Sequence, residues 1–187
     1  MTIEHLAITV IKACEMEKVD HMLTGAFAFN FYGVPRATKD VDIVVDVSAS
    51  NSILNLIKRL EPEIQFNGQV QFDTLTWGRR HIGTPSSDTT LQIELFELFD
   101  DAFVQSQFKR RQQLILPQLE IPSWIPKPED IIVQKLRWGR PKDLDDARDV
   151  IAIEGPENLD MPYIENWCSI HQTTSRLNDT LARIPPM

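Results

Sequence analysis

The chain has 187 residues, of which 42% are hydrophobic and 25% charged, ordinary values for a globular protein with a core of its own. It contains no apolar run long enough to span a bilayer, and its net charge of −8 argues against a broad, non-specific nucleic-acid surface. A local basic groove is still open to it, drawn from Arg79, Arg80, Lys109, Arg110, Arg111, Arg137, Arg140 and Lys142.

Residues 3–19 have helical spacing, with Leu6, Val10, Ile11 and Cys14 on one face. This start carries acids and a His and lacks a basic opening, so it reads as an amphipathic helix and not as a signal peptide. Residues 21–24 form a short strand, and residues 26–32 an almost wholly apolar, buried helix that Gly33 ends. Pro35 fixes a turn ahead of a strand over 41–47. Ser48 or Ser50 caps a helix over 52–60, which Pro62 stops. Residues 69–77 alternate as a half-exposed strand, 78–90 read as a polar loop, and 91–96 as the partner strand of a hairpin. Residues 102–112 are expected to be helical, and 113–116 and 119–121 to be short strands. Pro128 opens a helix to Trp138, with Glu129 and Asp130 suited to its first turn; Gly139 and Pro141 end it. A helix over 143–153 follows, then two more in 161–184 with a break near Gln172. Cys14 and Cys168 lie far apart in helical patterns and read as buried or free thiols of a reducing cytoplasm. His5, His21, His81 and His171 have no metal-ligand spacing.

The stretch LTGAFAFNFYGVPRATKDVDIVVD, residues 23–46, carries the chemistry. Asp40 and Asp42 are two apart on a strand and so share a face, while Val41, Ile43 and Val45 point the other way. Two carboxylates that close repel, and a divalent cation relieves the repulsion. Mg²⁺ suits such a pair because it takes few protein oxygens and leaves places for phosphate and water; Mn²⁺ is its alternative. Gly25 permits a sharp turn, and the helix after it presents free N–H groups and the positive end of its dipole, an anion site. A phosphate cradle beside an acidic strand suggests a nucleoside triphosphate with its metal. The bland alternative for the two Asp is a solvated strand face. The apolar character of the strand, with Val44 on the acids' own face, argues against an exposed edge.

These residues resemble the signature of the DNA polymerase beta-type nucleotidyltransferase superfamily, a glycine turn, a helix and Asp-x-Asp on a strand. Gly25, Ala28, Gly33, Arg36, Thr38, Asp40 and Asp42 match the longer form found in its minimal branch, which includes the AbiEii-like toxins. A second segment, KPEDIIVQKLRWGRPKDLDDARDV at 127–150, is similar to that branch's late motif. The resemblance implies an α/β (α+β) fold, a nucleotidyltransferase-like mixed β-sheet flanked by helices, with C-terminal helices. Residues 1–125 would be the core and 126–187 a helical segment packed on it, a single domain overall. It implies transfer of a nucleotidyl group from an NTP to a hydroxyl of a tRNA, a protein or a small molecule by a two-metal mechanism, in a cytoplasmic protein with an antitoxin as a further partner. It also implies a third carboxylate on a later strand. Glu94 fits that position, as metal ligand and base, with Glu97 and Asp73 as rivals. Gly25 and Ala26 would present backbone N–H groups to phosphate. Arg36 and Thr38 either touch the nucleotide or fix the loop before the strand. Lys135 or Lys142 would reach the triphosphate or the acceptor, against the alternative of helix-surface ion pairs with Asp143 and Asp146. Trp124 and Trp138 are read as core. Three departures stand out: Ala26 where the family has Gly or Ser, Lys127 in place of a capping Ser, and Glu for Asp at the third carboxylate. A nucleotide- or partner-binding protein without turnover, and a toxin component, are the competing functions.

Overall fold

A helix opens the chain because Thr2 caps it: the Thr2 hydroxyl accepts from the backbone N–H of His5 at 3.2 Å. This helix, α1 (Ile3–Glu17), buries Leu6, Ala7, Val10, Ile11, Ala13 and Cys14 and ends where Lys18 turns left-handed. The computed structural model describes residues 1–49, 52–74 and 78–184. The described chain forms two compact units, one of residues 1–27 and 37–125, the other of 28–36 and 126–187.

The first unit is built on a mixed sheet. After β1 (His21–Leu23) comes the start of α2 (Gly25–Tyr32), then β2 (Asp40–Val45), α3 (Ser52–Leu60), β3 (Ile64–Phe66), β4 (Gln71–Asp73), β5 (Gly78–Pro85) and β6 (Gln92–Glu97). The strand order is β1-β2-β6-β5-β3, with β4 also pairing β5. Among the described residues only β2 and β6 run parallel, and their register sets Asp40 opposite Gln92, Asp42 opposite Glu94 and Ile43 opposite Leu95. Val41, Ile43, Val45, Ile93 and Leu95 are fully buried on one face. Period-two alternation therefore turns Asp40, Asp42, Gln92 and Glu94 to the other face. Helix α4 (Ala102–Arg110), capped by Asp101, and the hairpin β7 (Gln112–Ile115) and β8 (Pro122–Ile125) complete the unit.

The expected loop over 78–90 is mostly strand. Two Gly, a Pro and adjacent Arg residues read as turn chemistry, yet β5 is the longest strand and pairs with β3, β4 and β6. Gly83 is there for space: a Cβ would lie 2.7 Å from Ile64 Cγ2 and 2.9 Å from Ile93 Cγ2. The hairpin partner of β6 is thus β5 and not residues 69–77, which shrink to β4; residues 75–77 lie outside the described ones. Strand β3 was not expected, and the strand placed at 119–121 falls instead at β8. Ser50, one of two caps expected for α3, lies outside the described residues, and Ser48 directs its backbone N–H to Asp46 Oδ1 at 2.8 Å.

The second unit is helical: the rest of α2, then α5 (Pro128–Trp138), α6 (Pro141–Glu154), a 3₁₀ turn (Pro156–Asn158), α7 (Met161–Ile170) and α8 (Thr174–Ala182). Proline at the first helical position starts both α5 and α6, where its missing N–H costs nothing. Gly139 ends α5 in the left-handed region, and Arg176 closes over it, donating to the carbonyls of Leu136 at 2.7 Å and Arg137 at 3.1 Å. The break near Gln172 is real: that residue has φ +58°. Cys14 and Cys168 are both free and buried, and burial pushes the Cys14 thiol up to about 12. No helix among the described residues is long and apolar enough to cross a membrane.

Candidate active site

The sequence puts a glycine where no other residue fits. Gly25 has φ +59°, and a methyl group on it would run into the carboxylate of Asp42. The Asp42 side chain therefore lies against the first turn of α2, and the Asp42 carbonyl accepts from the Thr24 N–H at 2.8 Å. The strand and the helix start are thus locked together at the residue that carries the second acid. Ala26, next in the turn, is buried. Thr38 brackets the first acid: its hydroxyl accepts from the Asp40 N–H at 3.2 Å and donates to the Asp40 carbonyl at the same distance.

Glu94 stands across the parallel pair from Asp42. Neighbouring strands lie about 4.8 Å apart, so the two side chains rise from adjacent points of one face. Burial pushes the Glu94 carboxyl up, Arg80 pulls it down, and the nearby Asp40 and Asp73 carboxylates add to the rise; the net shift is upward. Arg80 Nη1 donates to Glu94 Oε2 at 2.7 Å. Asp73, the rival acid, shares this face from β4. Glu97, the other rival, points to the covered face, where it is 7% exposed and meets His81 Nε2 at 2.8 Å and Arg79 Nη2 at 2.6 Å.

The three carboxylates are hard oxygen donors on one face of adjacent strands, chemistry that fits a divalent cation such as Mg²⁺. As the side chains stand, no three acidic, His or Cys groups among the described residues converge closely enough to hold a metal ion.

Arg36, Lys135 and Lys142 belong to the second unit. Arg36 is fixed through its backbone by Asn30, whose side chain both accepts from the Arg36 N–H at 3.0 Å and donates to its carbonyl at 2.8 Å. Its guanidinium meets Asp146 at 3.2 Å and lies 5.5 Å from the centre of the Phe29 ring. Lys135 was expected to reach a phosphate or the acceptor. It is 5% exposed, and its ammonium is engaged by Asp146 at 2.6 Å and Asp143 at 3.3 Å. Arg140 closes on Asp143 at 2.5 Å, so two buried carboxylates are shared among three cations. Lys142 is exposed in the first turn of α6. One group here went unnoticed in the sequence, and another was read only as a groove base. Asn30 carries no signal beyond a polar residue in an apolar helix, and the role of Arg80 was hidden because its strand read as a loop. Several of the bases considered for a groove meet an acid: Arg79 with Glu97, Arg80 with Glu94, Arg111 with Asp20 at 3.2 Å and Arg140 with Asp143.

A glycine-started helix set against an acidic strand of a mixed sheet, with helices following, defines a nucleotidyltransferase-like α+β fold. The chain belongs to the family described as "nucleotidyltransferase of unknown function (DUF6036)", whose sequence model matches residues 11–182. Solved structures agree on the fold. The solution structure of the antibiotic-resistance factor ANT(2'')-Ia is similar with TM-score 0.60 at 10% identity, over 94% of each chain. ANT(2'')-Ia in complex with adenylyl-2''-tobramycin gives 0.59 at 13% identity, over 94% of this chain and 99% of that one. An antigenic nucleotidyltransferase-like protein from Paracoccidioides brasiliensis gives 0.53 at 18% identity, over 96% and 91%. No curated protein matches the chain.

Proposed function

We propose that the protein transfers a nucleotidyl group from an NTP to a hydroxyl group of an RNA, a protein or a small molecule. The observation that carries this reading is the packing of the Asp42 carboxylate against Gly25, with Asp40 and Glu94 on the same face of the sheet. Asp40 and Asp42 would hold the divalent ions, with Glu94 completing the second site. Bound Mg²⁺ or Mn²⁺ would neutralise the triphosphate and favour the ionised acceptor oxygen. The N–H groups of Gly25 and Ala26 would cradle phosphate oxygens at the helix start. The acceptor oxygen forms a bond to the α-phosphorus, the bond to the bridging oxygen breaks, pyrophosphate leaves, and Glu94 takes the hydroxyl proton. Thr38 holds the backbone of Asp40 and so its aim. Within the second unit, Lys135 would steady Arg36 through their shared partner Asp146.

A small-molecule acceptor has support from the fold neighbour seen with adenylyl-2''-tobramycin. The AbiEii-like motif spacing supports a toxin component with an antitoxin partner in the cytoplasm. The ion pair between Arg80 and Glu94 favours one second reading, a member that binds nucleotide without turnover. Incubation of the full chain with each labelled NTP, Mg²⁺ and total cellular RNA, protein or metabolites decides between these. Label in an acceptor that disappears in Asp40→Asn is the expected result. Tight NTP binding with no labelled acceptor under any NTP supports the second reading.

A further inference from the structure

Arg80 lies on β5, beside the strand of Glu94 and on the same face of the sheet. Its Nη1 is 2.7 Å from Glu94 Oε2, and its Nη2 is 3.4 Å from Gln71 Oε1, a long contact. Its Nε is buried without a hydrogen-bond partner among the described residues. One fork of the guanidinium is thus well used and the rest poorly, an incompletely satisfied resting pose. The pair is sheltered, with 26% of the Arg80 side chain and 14% of the Glu94 side chain exposed.

Resting on the functional reading above, we propose that Arg80 is the resident counter-cation of Glu94: it holds the place of a divalent ion at that carboxylate, and the ion must take Glu94 from it. Arg80 is then a positioning residue. Asp40 and Asp42 bind their ion without competition from it. Glu94 joins only when the guanidinium lets go, and a triphosphate beside it offers anionic oxygens that accept a fork of N–H donors well. The nucleotide-free protein therefore binds metal more weakly than its three acids would allow.

The test is a Mn²⁺ titration of the full chain without nucleotide, followed by calorimetry or electron paramagnetic resonance. Arg80→Met should tighten Mn²⁺ binding roughly tenfold, the scale of one charge-assisted hydrogen bond removed from competition. Arg80→Lys, which keeps the charge and loses the fork, should fall between Arg80→Met and wild type, and it serves alone if Arg80→Met does not fold. Arg79→Met, whose partner Glu97 is on the covered face, should match wild type. Unchanged or weaker Mn²⁺ binding in the Arg80 variants, alongside loss of binding in Asp42→Asn, overturns the role of Arg80 and leaves the metal site standing. Equal affinity in wild type and Asp42→Asn, or no Mn²⁺ binding in wild type, overturns the metal site and this proposal together.

Discussion

Gly25 answers two demands at once: a left-handed backbone, and room for the carboxylate of Asp42. Gly25→Ala should lower stability by about 1–2 kcal/mol from the backbone alone. It should also weaken Mn²⁺ binding, because the added methyl displaces Asp42; melting curves and metal titration read the two effects separately. Glu94 tests the chemistry. If it serves mainly the transition state, Glu94→Gln should leave NTP–Mg²⁺ affinity within a few fold while transfer collapses. Wild-type turnover in that variant would move the third carboxylate to Asp73, which shares the face, rather than to Glu97, which does not.

At the scale of elements, β5 decides how the site is framed. It joins β6 to β3 and β4 and brings Arg80 to Glu94. The missing side chain of Gly83 leaves room for Ile64 and Ile93, which a Cβ there would crowd. Gly83→Val should cost about 1–3 kcal/mol by overpacking, seen as a lower urea midpoint with little change in slope. In the second unit, α5 and α6 are bound by the ions between them: Lys135 on α5 lies between Asp143 and Asp146 of α6, beneath the ring of Trp138 at 5.3 Å. Such a buried network aims Arg36 more than it stabilises the fold, because desolvation offsets much of its attraction.

At the scale of the whole molecule, that network is one contributor to the response to acid. Burial pushes the Asp143 carboxyl up, but Arg140 and Lys135 outweigh it, and the net shift is below its ordinary 3.8. A depressed carboxylate stabilises the folded state fully above its unfolded pKa and loses that contribution as pH falls through the folded value. The contribution of Asp143 should therefore hold down to about pH 4 and then fall. Asp143→Asn should be less stable at neutral pH, and its stability should depend less on pH below 4. Equal acid profiles by tryptophan fluorescence would show that Asp143 does not contribute.

Much of this could be read from the chain alone because it depends on neighbours in sequence. The two-residue spacing of Asp40 and Asp42 sets them on one face of any strand. The glycine before an apolar helix, the prolines that open α5 and α6, and the break at Gln172 are likewise local. Other features required distant residues to meet. Strand β5 has turn-like residues and becomes a strand only because β3, β4 and β6 offer it hydrogen bonds and Gly83 fits between isoleucines from two of them. Whether Glu94, Glu97 or Asp73 joins the Asp pair depends on register, and a shift of one residue would exchange the faces. The charge of Lys135 is plain in the sequence, but its burial between Asp143 and Asp146 is a product of helix packing. Local spacing determined which chemistry the chain can present; long-range pairing and burial decided which side chains are turned toward it.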